Sequence, residues 1–322
     1  MFNRYEATTK YLCLFLAVGF LFSLTGCKEK AIVSGEYEDV SYEVTESEDA
    51  PNLRDNTPQV LIPKADGSMV EGCDDFSIDY GNSSEGYFVV HYFGSNEKVK
   101  MQLTGPDGVT YTYNLGSDEA VIPITSGNGS YNIVAFENIG GNQYSTLYAT
   151  DLDFNVTNEF GPYLYPNQYV NFGPASAVVP LAEELAGTAT SDLEVVTAVY
   201  SYIVTNIEYD EVKLKNAEKT YLPDVDEVLS TKKGFCFDYA ALMASMLRSQ
   251  RIPARMEIGY AGDAYHAWLS VYIDDKGWVS GMIEFDGTSW TLMDPTFAAN
   301  SSKATLKSFI GDGSNYITKY VY

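Results

Sequence analysis

The chain of 322 residues is strongly acidic, with 44 Asp and Glu against 20 Lys and Arg and a formal net charge of −24 at pH 7. This balance argues against a nucleic-acid partner, because phosphate binding requires Lys and Arg side chains to neutralise charge. The four cysteines are too few for a disulfide-stabilised scaffold.

The first 26 residues are predicted to be a signal peptide. Arg4 and Lys10 precede a short apolar run at residues 11–23, which is shorter than the roughly 20 residues that a transmembrane helix requires. The following Leu-Thr-Gly-Cys27 resembles a bacterial lipobox. The resemblance implies cleavage before Cys27 and diacylglyceryl attachment to its sulfur, which would anchor the protein stably to the cell membrane. We therefore expect an extracytoplasmic lipoprotein; an ordinary signal peptide with an incidental cysteine is the alternative.

Residues 27–73 are predicted to form an acidic, disordered stalk. Acidic side chains crowd between positions 36 and 49 among Ser and Thr, with few apolar residues. Such a segment buries too little apolar surface to offset the chain entropy that folding removes. Its expected role is to space the folded part of the protein from the membrane.

Residues 74–157 are predicted to form an all-β, immunoglobulin-like sandwich. Apolar residues recur at every second position in seven short segments, and clusters of Gly, Asn, Asp and Pro separate these segments. This pattern is typical of antiparallel strands in a sandwich. The predicted strands begin near Phe76, Phe88, Val99, Tyr111, Val121, Tyr131 and Leu152.

Residues 158–322 are predicted to form an α+β domain. A connector at residues 161–171, rich in Pro, Tyr and Asn, leads into helical spacing, and Ser191 with Glu194 forms a capping box. Helices are predicted near residues 176–186, from Ser191, near residues 224–230 and from Cys236. Strands are predicted over residues 255–260, 265–273, 278–285 and 289–293. Helices followed by an antiparallel sheet define the α+β class.

Three residues of this domain form a candidate nucleophilic site. Cys236 follows Gly234 and opens a helix, where the macrodipole and free amides stabilise a thiolate. His266 lies on a predicted strand, and Asp294 ends a later strand just before Pro295. In this arrangement cysteine can attack a carbonyl, histidine can transfer the proton, and aspartate can orient the imidazole. Taken singly, each residue also has an ordinary structural interpretation.

The motifs around these residues resemble the transglutaminase-like superfamily. In chain order they are Gly-Phe-Cys236-Phe-Asp-Tyr-Ala, Ile-Pro-Ala-Arg255, Gly259-Tyr, His266-Ala-Trp and Trp290-x-x-x-Asp294-Pro-Thr. The resemblance extends over roughly residues 190–297. It implies a papain-like core in which Cys236 is the nucleophile, His266 the base and Asp294 the orienting acid.

The resemblance also implies acyl transfer at an amide bond through a thioester on Cys236. The acceptor stays open: water would make the protein a peptidase or amidase, and an amine would make it a transglutaminase-type crosslinker. Hydrolysis is slightly favoured because no feature marks an amine pocket. A protein or cell-wall peptide is the expected substrate. No spacing resembles a calcium loop, and we expect no metal and no cofactor.

Two features depart from the family pattern. The segment between His266 and Asp294 is long, and a simple meander would place the predicted strand 278–285 between the histidine and aspartate strands. No side-chain donor for an oxyanion hole precedes Cys236, so its main-chain amide is the default donor, with Tyr209 a weaker candidate.

Other interpretations stay open at this point. The protein could be a non-catalytic cell-envelope binding or adhesion module that keeps the fold, or the sandwich could itself dock on a wall polymer or a partner protein. Cys73 could pair with Cys236 and silence it, although a separate minor thiol is the expected role of Cys73.

Overall fold

The computed structural model describes residues 54–274, 276–280, 282–285, 290–293 and 316–322. The predicted signal peptide, the proposed lipidation site Cys27 and the candidate acid Asp294 lie outside the described residues. Within these ranges, no helix is long and apolar enough to cross a bilayer.

The strands between residues 70 and 154 form two four-stranded antiparallel sheets. The first has the order β1-β2-β3-β6 and the second the order β5-β4-β7-β8. All seven predicted strands are present, and β1 was not predicted. The strands are β1 Val70–Cys73, β2 Phe76–Asp79, β3 Tyr87–Tyr92, β4 Val99–Thr104, β5 Thr110–Leu115, β6 Ala120–Pro123, β7 Gly129–Gly140 and β8 Gln143–Phe154.

Aromatic and branched side chains from both sheets form the sandwich core. The rings of Phe88 on β3 and Phe154 on β8 stack with centroids 5.4 Å apart, and Phe76 on β2 meets Tyr148 on β8 at 6.0 Å. Strands such as β4 alternate between buried and more exposed residues, as strands with one buried face do. The immunoglobulin-like assignment and the domain boundaries stay predictions.

The C-terminal half combines helices with a second set of strands. Its predicted helices are confirmed, whereas the short helix α3, the two-residue strands β9 and β10, and the terminal strand β16 were not predicted. The elements are α1 Val178–Ala186, α2 Asp192–Asn206, β9 Glu208–Tyr209, α3 Glu211–Asn216, α4 Val225–Thr231, β10 Lys233–Gly234, α5 Cys236–Ser249, β11 Ala254–Ala261, β12 Ala264–Ile273, β13 Gly277–Ser280, β14 Met282–Phe285, β15 Trp290–Met293 and β16 Tyr316–Val321.

Helix α5 is the central element of this α+β half. Every residue of α5 except Phe237 is buried, because α1, α2 and α4 contact it and strands β11 and β12 cover it as well. The sheet has the antiparallel order β13-β12-β11-β16. A helix enclosed in this way draws its stability from packing more than from helix propensity.

The sandwich and the α+β half share one hydrophobic core. Tyr322 directly follows β16, and its ring lies 6.2 Å from that of Tyr113 on β5 and 4.1 Å from that of Tyr169 in the connector. The Thr125 hydroxyl donates to the carbonyl of Val321, 3.0 Å away. The last strand of the α+β half therefore packs directly against the sandwich.

Residues 54–73 differ from the disordered stalk that their composition predicts. Arg54 forms an ion pair with Asp192 on α2 at 2.6 Å, and the amide of Gln59 donates to the carbonyl of Ser249 on α5 at 2.8 Å. Strand β1 then pairs with β2 along its whole length. The acidic residues on which the prediction of disorder rests lie further towards the N-terminus, between positions 36 and 49. The composition averaged over residues 27–73 therefore does not describe residues 54–73, which pack on the fold.

The predicted strand over residues 278–285 is divided in the structure. Strand β13 pairs with β12 at one edge of the sheet, whereas β14 pairs with β15 in a separate two-stranded ladder. The segment that the sequence predicts as one strand therefore contributes to two different sheets.

Candidate active site

Cys236 is the first residue of α5. Phe235 before it has an extended backbone and acts as the N-cap, and Cys236 itself is 8% exposed. The N–H groups in the first turn of a helix have no acceptor within the helix, and the positive end of the macrodipole favours an anion there. The fold therefore places the thiol where a thiolate or an oxyanion can be stabilised.

Gly234 allows the chain to enter this helix. Strand β10, which contains Gly234, pairs in parallel with β9. A Cβ atom at Gly234 would lie 2.7 Å from the Cβ of Asp238, closer than van der Waals contact permits. Glycine is required here because of this close approach to the first turn of α5.

Asp238 anchors the start of α5 from within the protein. The side chain is completely buried, and its Oδ2 accepts the N–H of Phe235 at 3.0 Å. The hydroxyl of Tyr221 donates to Oδ1, and the Nζ of Lys213 lies 3.5 Å from Oδ2. A carboxylate two residues after the cysteine thus fixes the N-cap residue immediately before it.

The environment of Asp238 contains opposing electrostatic effects. Burial raises the pKa of the Asp238 carboxyl, while the hydrogen bonds from Tyr221 and Phe235 and the charge of Lys213 act in the opposite direction. Burial also raises the pKa of Tyr221, and its hydrogen bond to Asp238 adds to this. The carboxyl group can remain buried because three donors surround it.

His266 lies near the start of β12, opposite Gly259 of β11. The imidazole is 6% exposed, and it stacks at 6.3 Å with Trp268 on the same side of the strand. A Cβ atom at Gly259 would lie 2.0 Å from the carbonyl oxygen of Ile317 on β16. Glycine therefore allows β16 to pair closely beside the histidine strand.

Cys236 and His266 line the same cavity, which has a volume of about 430 Å³. Most of its wall is apolar or aromatic, and Thr112 and Asn114 of the sandwich belong to it. Cavities of roughly 300–1,000 Å³ are typical of small-molecule and substrate sites. The aromatic lining residues are Tyr169, Tyr221, Phe235, Phe237, Tyr265, Tyr320 and Tyr322.

The structure thus brings together two of the three predicted catalytic residues. Asp294 lies outside the described residues, so its contact with His266 stays a prediction. Tyr209, the weaker oxyanion candidate, is not among the described residues that line the cavity. Cys73 is an exposed free thiol and Cys236 a buried one, so the disulfide considered between them is not formed.

Sequence reasoning did not identify Asp238, Tyr221 and Lys213 as parts of the site. Asp238 could have been noticed because it stands at the third position of a helix, where an acidic residue can accept the N-cap amide. Tyr221 and Lys213 gave no such signal, since they lie 17 and more residues before Asp238 in the chain. No group of three or more potential metal ligands occurs in the described part of the chain.

Comparison with known proteins finds a family match within the α+β half. Residues 179–281 match the transglutaminase-like superfamily. The mouse kyphoscoliosis peptidase is 28% identical over 136 residues, which cover 37% of this chain and 20% of that protein. A protein-glutamine gamma-glutamyltransferase of Pseudomonas aeruginosa is 37% identical over 70 residues, or 17% of this chain and 10% of that protein. The chain thus spans a small part of either curated relative.

Among solved structures, a putative cysteine protease from Cytophaga hutchinsonii is similar over 71% of this chain and 68% of that one. The identity is 15% and the TM-score 0.34. The superfamily match falls on the segment that contains the Cys236 helix and the His266 strand. The chain therefore contains a domain of the transglutaminase-like superfamily, whose members are usually cysteine-dependent enzymes.

Proposed function

We propose that the protein is a cysteine-nucleophile acyl-transfer enzyme that acts on amide bonds, with Cys236 as nucleophile, His266 as base and Asp294 as orienting acid. The observation that carries this proposal is the placement of Cys236, at the start of α5, and His266, on β12, in the wall of one cavity. A cysteine buried only for packing would not need a substrate-sized space shared with an imidazole.

The chemistry proceeds through a thioester. The sulfur of Cys236 attacks the amide carbonyl carbon, a C–S bond forms, and negative charge develops on the carbonyl oxygen. The first amides of α5 can stabilise that charge, because they have no acceptor within the helix. The C–N bond then breaks, and the leaving amine takes a proton from His266.

The thioester is released by a second nucleophile. Water or an amine attacks the carbonyl carbon, His266 accepts the proton, and the C–S bond breaks to restore the thiolate. We favour water, because Glu218 is the one acidic residue among the described residues of the cavity wall that could attract a protonated amine. The proposed substrate is a protein or cell-wall peptide, since the wall is mainly apolar and aromatic.

We also propose that the enzyme works outside the cytoplasm, anchored through a lipid on Cys27. The lipobox-like sequence before Cys27 supports this placement. Metabolic labelling of intact bacteria with an alkyne fatty acid is expected to tag the wild-type protein. Cys27→Ser should abolish the tag and release the protein from the membrane fraction; a tagged Cys27→Ser protein would contradict the anchoring.

The enzymatic proposal is tested by labelling thiols in the full-length protein with iodoacetamide and resolving each cysteine by mass spectrometry. Cys236 is expected to react well below pH 8 and faster than a model thiol. The exposed Cys73 is the internal comparison, and His266→Asn should slow Cys236 alone. A Cys236 that reacts no faster than the model thiol would favour a non-catalytic binding module.

The acyl donor is identified by capture on intact cells. Wild-type protein should retain an acyl group on Cys236 after rapid acid quenching, and Cys236→Ala should retain none. A fluorescent primary amine added before quenching distinguishes the two acceptors, because only transamidation attaches it to the donor. An equal acyl signal in both proteins would exclude Cys236 as the nucleophile.

A further inference from the structure

A second cavity adjoins the one at Cys236. It has a volume of about 420 Å³, and Asn114 and Leu222 line both cavities. Asn114 belongs to β5 of the sandwich, and Leu222 lies between α3 and α4. The two cavities are therefore neighbours that share these two side chains in their walls.

The second cavity is enclosed by segments that the catalytic residues do not use. Its wall comes from residues 60–63, from the turn between β5 and β6, and from the connector around Asn167 and Gln168. Asp118 and Glu119 are its charged lining residues among those described, and both are exposed. No Lys or Arg of the described residues lines it, so a cationic group would be favoured there.

Two side-chain amides in this wall are only half satisfied. The Oδ1 of Asn167 accepts the amides of Tyr169 and Val170 at 2.9 and 3.0 Å, whereas its buried Nδ2 has no partner among the described residues. The Nε2 of Gln168 donates to the carbonyl of Asn114 at 2.7 Å, whereas its buried Oε1 has no described partner.

Unpaired buried polar atoms are uncommon in native proteins and call for a physical reason. Here one unpaired atom is a donor and the other an acceptor, on adjacent residues of the connector. A peptide group offers the complementary acceptor and donor. Asn167 and Gln168 both line the second cavity, so a peptide chain that occupies it can supply both missing partners.

We propose that the second cavity is a subsite for the same polypeptide whose amide bond reacts at Cys236, and that it takes a segment with a Lys or Arg side chain. This inference rests on the proposed function. The chain passes Asn114 and Leu222, pairs its main chain with Asn167 and Gln168, and directs its cation to Asp118 and Glu119. The sandwich thereby forms part of the substrate site.

The test uses iodoacetamide and a series of iodoacetyl peptides, with alkylation of Cys236 followed by mass spectrometry on the full-length protein. In each reaction the sulfur displaces iodide, so the chemistry is constant and the attached peptide varies. Peptides of two and six residues are compared. In the six-residue peptides, Lys, Gln or Glu is placed at one position at a time, and the position is varied along the peptide. The six-residue Lys peptide is expected to react about tenfold faster than its Glu counterpart at low salt.

Two variants test whether the length and Lys preferences arise at the second cavity. Gly116 lines the second cavity, and a Cβ atom there would meet no other atom within 4 Å, so Gly116→Trp should fill the space without disturbing the fold. Asp118→Asn with Glu119→Gln removes the charge. Thr146→Trp on β8 is the matched control, because Thr146 is exposed and lines neither cavity.

The expected result is loss of both the length preference and the Lys preference in Gly116→Trp, and loss of the Lys preference alone in the charge-removing double variant, with the rate for iodoacetamide itself unchanged in both. Thr146→Trp should behave as wild type. Equal rates for Lys, Gln and Glu peptides in the wild type would overturn the subsite, and so would a preference that survives Gly116→Trp. Slow reaction with every reagent, iodoacetamide included, would instead count against the proposed function.

Discussion

The sandwich and the α+β half bury their residues in different ways. In the sandwich, β4 and β5 alternate between buried and more exposed positions, and Asp79 is the one buried charged or polar residue described between β1 and β8. In the α+β half, β12 is buried at six consecutive positions, His266 to Val271, so both of its faces are covered. Charged residues such as Asp238, Arg248 and Glu257 are buried there as well.

This difference has an energetic consequence. A sandwich core depends mainly on apolar contact, so substitutions there cost free energy through lost burial and cavities. The α+β half also depends on hydrogen bonds to buried polar groups, whose loss leaves a partner unsatisfied. We expect changes in the two halves to differ in their effect on the Cys236 site, even where they lower stability equally.

The largest effect is expected at Arg248. Its guanidinium is buried and donates to the main-chain carbonyls of Ala254, Tyr165 and Tyr322 at 2.9, 2.7 and 3.0 Å. Burial lowers the pKa of Arg248 to about 9. Arg248→Met should lower the free energy of unfolding by about 3–6 kcal/mol, because three buried carbonyls lose a charged donor.

Urea denaturation measures this loss, and Arg248→Lys is the matched control. Lysine keeps the charge but lacks the planar fork, so it should lie between methionine and wild type. An Arg248→Met protein as stable as wild type would mean that polar burial in the α+β half contributes little.

The next effect tests the sandwich. Ile133 on β7 is completely buried, and Ile133→Ala should lower the free energy of unfolding by about 2–5 kcal/mol through lost burial and a residual cavity. The rate of Cys236 alkylation by iodoacetamide in the folded protein should stay within about twofold of wild type. A large fall in that rate, with the protein still folded, would remove the distinction between the two halves.

A smaller effect is expected at Lys213. Lys213→Met removes the cation beside the buried Asp238 carboxylate and should cost about 1–3 kcal/mol. The double variant with Asp238→Asn should recover part of that loss, because no uncompensated charge then remains. A double-mutant cycle measures the coupling, and strictly additive losses would show that the two side chains do not interact.

The smallest effect is a pH dependence at Asp238. Burial raises its pKa in the folded protein above the ordinary value of 3.8, so the folded state holds this proton more firmly than the unfolded state. The contribution of Asp238 to stability is therefore greatest at low pH and declines as pH rises through the raised pKa. The slope cannot exceed about 1.4 kcal/mol per pH unit.

Urea denaturation of wild type and Asp238→Asn between pH 4 and 7 isolates this contribution, because the other carboxylates are common to both proteins. The unfolding free energy of the wild type relative to Asp238→Asn should fall as the pH rises from 4 to 7. A constant difference across this range would show that the three donors fully offset the burial of the carboxyl group.

The elements that could be predicted from the sequence are those with a local signal. The strands of the sandwich followed from alternation, and α2 followed from Ser191 and Glu194; the Ser191 hydroxyl accepts the Glu194 amide at 3.3 Å, while the Glu194 carboxylate reaches back to the amide of Thr190. Strand β16 was missed because its place in the sheet is set by pairing with β11, some 60 residues earlier.

The same distinction holds for the candidate active site: residues with a local sequence signal could be predicted, and residues joined only by tertiary contacts could not. Cys236 and His266 could be selected because each stands in a recognisable local motif. The Lys213, Tyr221 and Asp238 cluster could not, because its hydrogen bonds and ion pair join side chains from separate elements. The contribution of Asn114 to the cavity depends on how β5 of the sandwich packs beside the α+β half.

The sequence by itself determined the strongly acidic character, the class of the two halves and the candidate nucleophile with its histidine, because composition, periodicity and short motifs are properties of neighbouring residues. Only the tertiary structure decided that Cys236 and His266 share a cavity, that a buried carboxylate holds the residue before the thiol, and that the sandwich supplies part of the wall. Those facts arise from contacts between distant segments, and such contacts form only when the shared core brings the segments together.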